Sequence, residues 1–178
     1  MRLLSLVSFG LIGFAAAENG QAAWLRYAPL PRGYHTQGSS LPSNIVALNS
    51  TTSSPVYTAG QEIKKGIQSI FGKTVSVGSP PHYGKPSSSV VIGTVGEYTK
   101  AYGKLASPPE LVEDGFWLNT KGNQIQILGQ NERGALYGAF EYLSMLAQGN
   151  FSQVAYATNP ESNVRWVNQW YVNQLLKT

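Results

Sequence analysis

The chain has 178 residues, enough for a domain with a sizeable core, and only 12% of them are charged. With no cysteine it has no disulfide framework, so the core alone must hold the fold. The formal net charge is +4, but the positive residues are scattered, and no basic run or aromatic–basic stripe marks a nucleic-acid surface.

Arg2, the apolar run Leu3–Phe14 and the small residues Ala15-Ala16-Ala17 have the three parts of a secretory signal. Residues 1–17 are therefore expected to be cleaved, leaving a secreted chain that begins near Glu18. The apolar run falls short of the ~20 residues that a membrane span requires, and no second candidate follows. No membrane partner is expected. An arm rich in Pro and Gly (Ala28–Pro42) leads to Asn44–Leu48, the first predicted strand. Asn49-Ser50-Thr51, and later Asn150-Phe151-Ser152, are sequons that mark Asn49 and Asn150 as surface glycosylation sites in a eukaryotic secretory pathway.

Ser54-Pro55 supplies a cap and an N1 proline for a helix that runs to about Phe71 and stops at Gly72. Val56, Ala59, Ile63, Ile67 and Ile70 recur at intervals of three and four and form its apolar face. Thr74–Val77 reads as a second strand and Gly78–Ser87 as a loop rich in Pro, Gly and Ser. Val90–Val95 is a short apolar strand, and Tyr98–Leu105 fits one or two helical turns.

Gly115–Thr120 and Asn123–Leu128 form a predicted hairpin around the turn dipeptide Lys121-Gly122. Ile125 and Ile127 alternate with Gln124 and Gln126, the period of a strand with one buried face. Asn131 caps the next helix, with Glu132 in its first turn, where the helix dipole favours negative charge. Leu136, Phe140, Leu143 and Ala147 share one face, widened by Ala139 and Leu146, and Gly149 is the expected C′ residue. Gly134, Ala135, Gly138 and Ala139 are small residues at helical spacing. Since glycine costs a helix ~1 kcal/mol against alanine, they predict close packing of helix on sheet rather than a ligand site. The order β-α-β-β-β-β-α predicts an α+β two-layer sandwich, a mostly antiparallel sheet with two helices on one face.

Glycoside hydrolysis needs two carboxyl groups flanking the scissile bond. This chain has one aspartate, Asp114, and eight glutamates. Glu113 and Asp114 are neighbours at a strand entrance and are expected to point to opposite faces. Glu132 and Glu141 fall on the exposed side of their helix. No pair converges, so no catalytic residue is assigned. His35 and His82 sit in separate loops without partners at metal-ligand spacing, and no metal or cofactor is expected. There is no phosphate loop and no G-x-S-x-G elbow. Arg133 reads as an ion-pair or interface residue. Trp117 is expected to be core or half-core, whereas Trp166 and Trp170 lie four apart and fit a face packed on a neighbouring domain better than an exposed sugar platform.

The helix NERGALYG following the hairpin GFWLNTKGNQIQILG resembles the N-terminal domain of the glycoside hydrolase family 67 α-glucuronidases of xylan breakdown. SNVRWVNQW, at Ser162–Trp170, is similar to the start of their catalytic barrel. The resemblance implies a domain over residues 18–160, the beginning of the barrel region at 161–170 and a non-family tail at 171–178. It also implies the activity of a complete enzyme: metal-free, inverting release of α-1,2-linked glucuronic or 4-O-methylglucuronic acid from xylo-oligosaccharides. The catalytic carboxylates would all lie beyond this chain, which is expected to be inactive alone. Trp170 matches the family tryptophan that begins the barrel and helps line the uronic-acid pocket. After it the family typically continues Asp-Asn, whereas here Tyr171-Val172-Asn173 follow. Trp-Tyr-Val can be encoded with GTATGT, a common fungal intron start, so residues 171–178 are expected to be read-through of an intron. The rival readings are a secreted carbohydrate-binding module and the auxiliary domain of another glycosidase, such as a hexosaminidase.

Overall fold

In the computed structural model, residues 27–31, 33, 38, 40–80, 86, 88–149 and 154–162 are described. Six strands make one sheet: β1 (Asn44–Ala47), β2 (Ser76–Gly78), β3 (Ser89–Thr94), β4 (Phe116–Lys121), β5 (Gln124–Gly129) and β6 (Ala155–Thr158). Their spatial order is β2-β1-β3-β5-β4-β6. Helices α1 (Pro55–Phe71) and α3 (Glu132–Ala147) cover one face, and the short α2 (Val95–Tyr102) lies on the other.

The α+β class and the pair of helices on one face are as predicted. The sheet, however, is mixed rather than mostly antiparallel. β1 pairs in parallel with β2 and β3, and β3 with β5, whereas β4 runs antiparallel to β5 and β6. For β1 and β2 the reason is the crossover: α1 carries the chain back along β1, so the strand that follows runs in the same direction. Hydrophobic period shows a strand's faces and says nothing of its direction.

Local chemistry accounts for the helix ends. Ser54 Oγ accepts a hydrogen bond from Val56 N at 3.0 Å, Pro55 starts α1, and Gly72 ends it in the left-handed conformation with φ 67°. The five predicted apolar residues of α1 are all fully buried. α2 begins at Val95, earlier than its apolar residues suggest, because Thr94 and Glu97 form a reciprocal capping box. Glu97 N donates to Thr94 Oγ1 at 3.0 Å, and Thr94 N donates to Glu97 Oε2 at 2.7 Å. The hairpin turn lies one residue later than predicted, with Lys121 paired to Gln124 and Gly122 supplying a φ of 59°.

α3 buries a different stripe from the one centred on its large residues. Leu136 and Phe140 are only half-buried, while Gly134, Ala135, Gly138, Ala139, Tyr142, Leu143 and Leu146 are buried. The small residues win because they let the helix backbone approach the sheet. A Cβ on Gly138 would lie 3.0 Å from Ile127 Cγ2 and 3.1 Å from Phe116 Cδ2. Ile45, Ala47, Val90, Ile92, Leu118 and Ile127 meet α1 and α3 in the main core.

Tyr142 stands in that core with no exposure, and its hydroxyl has no hydrogen-bond partner among the described residues. Burial pushes its pKa above the ordinary tyrosine value. Removing an unpaired buried hydroxyl relieves a desolvation cost, so Tyr142→Phe is expected to stabilise the chain by ~1 kcal/mol. Urea unfolding of the two proteins checks this, and a lower midpoint in the variant would contradict it.

Candidate functional site

Glu97, Glu113, Asp114 and Glu132 do structural work. Asp114 is left-handed, with φ 64°, and lies in the turn before β4 rather than on the strand. The alternation rule therefore does not apply, and Glu113 and Asp114 converge instead of diverging. Arg133 Nε donates to Asp114 Oδ1 and Arg133 Nη2 to Glu113 Oε1, each at 3.0 Å. The ion-pair role expected of Arg133 is thus realised. Asn131 Nδ2 adds a bond to Asp114 Oδ1 at 2.8 Å while its own Oδ1 accepts from Gly134 N, so this turn is fastened to the first turn of α3.

Glu132 is half-buried rather than exposed. It accepts from Asn49 Nδ2 at 2.7 Å and from Ser54 Oγ at 3.0 Å, linking the N-termini of α1 and α3. Asn49 is half-buried as well, and its Oδ1 accepts from Thr51 N at 3.0 Å. No group of three or more His, Cys, Asp or Glu among the described residues has the arrangement of a metal site. Asn150, Trp24, Trp166, Trp170, His35 and His82 lie outside the described residues, as do the signal segment and residues 171–178.

The second face of the sheet carries the more informative geometry. Gln124 and Gln126, the polar phase of β5, are 7% and 1% exposed, because α2 and the chain after it cover them. They are satisfied by a network: Gln126 Nε2 donates to Tyr98 Oη at 2.8 Å and to Gln124 Oε1 at 2.7 Å. Gln124 Nε2 donates to the Pro86 carbonyl at 2.8 Å, and Asn119 Nδ2 to Gln126 Oε1 at 3.0 Å. Burial raises the Tyr98 pKa and the Gln126 bond opposes this. Such a network fixes its members' orientations, since each alternative rotamer would leave a buried polar atom unpaired.

Beside this network opens a cleft of about 230 Å³. Asn119 and Gln126 belong to its lining with half-buried Trp117, Leu105 and two lysines, Lys104 and Lys121. Lys104 follows Gly103, the C-cap of α2, and lies in the connection to β4. Neither cleft lysine forms an ion pair among the described residues, and no carboxylate is among the residues that line the cleft. Sequence reasoning passed over this site because its residues come from α2, β4, β5 and the α2–β4 connection, with no shared motif. The capping box at Thr94 was the one signal that would have placed α2.

Residues 23–142 match the family model described as the glycosyl hydrolase family 67 N-terminus. The chain belongs to glycosyl hydrolase family 67. It is 57% identical over 159 residues to the probable alpha-glucuronidase A of Neosartorya fischeri, covering 89% of this chain and 19% of that protein. It is 49% identical over 168 residues to the alpha-glucuronidase A of Emericella nidulans, covering 93% of this chain and 20% of the relative. The family 67 chain thus spans about a fifth of the length of these curated relatives. Among solved structures, a family GH115 4-O-methyl-alpha-glucuronidase aligns over 60% of this chain and 13% of its own, with 19% identity and a TM-score of 0.47.

Proposed function

We propose that this chain is the N-terminal, non-catalytic part of a secreted xylan α-1,2-glucuronosidase. The observation that carries the reading is the family 67 match over residues 23–142, made by a domain in which Glu97, Asp114 and Glu132 are held in cap, ion-pair and hydrogen-bond contacts. The complete enzyme would release glucuronic or 4-O-methylglucuronic acid from xylo-oligosaccharides, with its acid and base on a barrel that begins near residue 161. Trp170 would begin that barrel and help line the uronic-acid pocket. Residues 1–17 would direct secretion, and Asn49 and Asn150 would carry glycans. A glycan at Asn49 replaces one of two amide hydrogens, so the bond from its Nδ2 to Glu132 can persist through the other.

The test is the spliced transcript across codon 170, read together with the secreted product. The expected message joins Trp170 to Asp-Asn and a long barrel-coding frame, and its secreted product frees glucuronic acid from substituted xylo-oligosaccharides. Enzymatic deglycosylation should increase its gel mobility. A mature message that stops after Thr178 would remove the enzyme reading for this product.

A further inference from the structure

We infer that the cleft between β4 and the segment after α2 is a binding site for a single acidic sugar residue. The choice of a uronic acid borne on a xylo-oligosaccharide rests on the function proposed above. The site itself rests on its own geometry. Trp117 offers an indole that is neither buried nor free in solvent, the setting in which an aromatic face stacks on the C–H face of a sugar ring. Asn119 and Gln126 stand beside it, held in place by the 3.0 Å bond between them and by the two further bonds from Gln126 Nε2. A polar wall fixed before the ligand arrives spares binding the cost of ordering it.

The charge pattern selects the ligand class. Lys104 and Lys121 are exposed cations on the lining, without a carboxylate among the lining residues and without an ion-pair partner elsewhere in the described residues. An ammonium without an ion-pair partner among the described residues can meet a ligand carboxylate through a charge-assisted hydrogen bond. The volume selects the size. At about 230 Å³ the cleft falls below the roughly 300–1,000 Å³ of drug-sized pockets, so it suits one ring and not a chain of them. Lys104 and Leu105 bring the segment after α2 to the cleft opposite β4.

The test uses the full 178-residue chain and titrates a glucuronic-acid-substituted xylotetraose against unsubstituted xylotetraose, followed by NMR or calorimetry. The acidic sugar is expected to bind about fivefold more tightly than the neutral one, with the preference lost on raising salt. The double variant Lys104→Gln/Lys121→Gln should weaken the acidic sugar about fivefold and leave the neutral one unchanged. Both lysines are exposed, so their substitution leaves the core untouched. Trp117→Phe should weaken both sugars together. No binding below about 10 mM, or equal affinity of the double variant and the parent chain, would overturn the assignment. The outcome is distinguishable from that of the enzyme reading. If the transcript extends past codon 170 but this chain binds neither sugar, only the cleft assignment fails. If the transcript stops and binding survives, the cleft stands without the enzyme.

Discussion

Replacing Gly129 with alanine is expected to lower the thermal unfolding midpoint by roughly 10 °C, a loss of about 3 kcal/mol. Gly129 is the last residue of β5, two positions before the cap of α3. A Cβ there would fall on Ala135 N and Asn131 O and would stand 2.7 Å from the carbonyl carbon of Gly134. All three are backbone atoms of the helix start, where Ala135 N donates to Asn131 O at 3.2 Å, so no side-chain rotation can relieve the overlap. The helix would have to lift, taking Gly138 away from Ile127 and Phe116. Gly122→Ala is the control. Its φ of 59° strains an alanine, but no atom lies within 4 Å of the added carbon, so only about 1 kcal/mol should be lost. Equal melting temperatures for the two variants would sink the close-packing account of β5 and α3.

Asp114→Ala is expected to cost about 2–3 kcal/mol, the second-largest effect. It removes a carboxylate that accepts from Asn131 and Arg133, and it puts alanine at a φ of 64° where aspartate and asparagine are tolerated. The Asp114 side chain is 10% exposed, so water replaces the lost partner poorly. Asp114→Asn keeps the backbone preference and an acceptor oxygen, and should lose about 1 kcal/mol. Arg133→Ala should lose under ~1 kcal/mol, since that side chain is 55% exposed and its contact with Glu113 is a surface pair. Chemical denaturation of both single variants and their double would separate the ion pair from the backbone effect. If Asp114→Ala and Arg133→Ala cost the same, the left-handed turn contributes nothing and the argument from φ fails.

Sequence carried some of this architecture well. Ser54, Pro55 and Gly72 gave both ends of α1, and its five apolar residues gave its buried face, because caps and a 3.6-residue period act within a few residues of each other. The small residues of α3 correctly announced close packing, although the large ones beside them drew attention to the wrong stripe. β6 escaped notice: AYAT is a four-residue edge strand that is mostly exposed and has no clear alternation. The cleft escaped for a different reason, since Trp117, Gln126 and Lys104 become neighbours only through the β4–β5 pairing and the placement of α2.

The residues by themselves determined the family, through the hairpin and NERGALYG helix, and the main helices and strands, through local caps and periodicity. Tertiary structure decided strand direction, the burial of Gln124 and Gln126, the convergence of Glu113 and Asp114 on Arg133, and the cleft. These depend on partners distant in sequence. A polar residue is buried or exposed according to what packs over it, and a carboxylate points where its backbone φ sends it. Neither is written in the spacing of one segment.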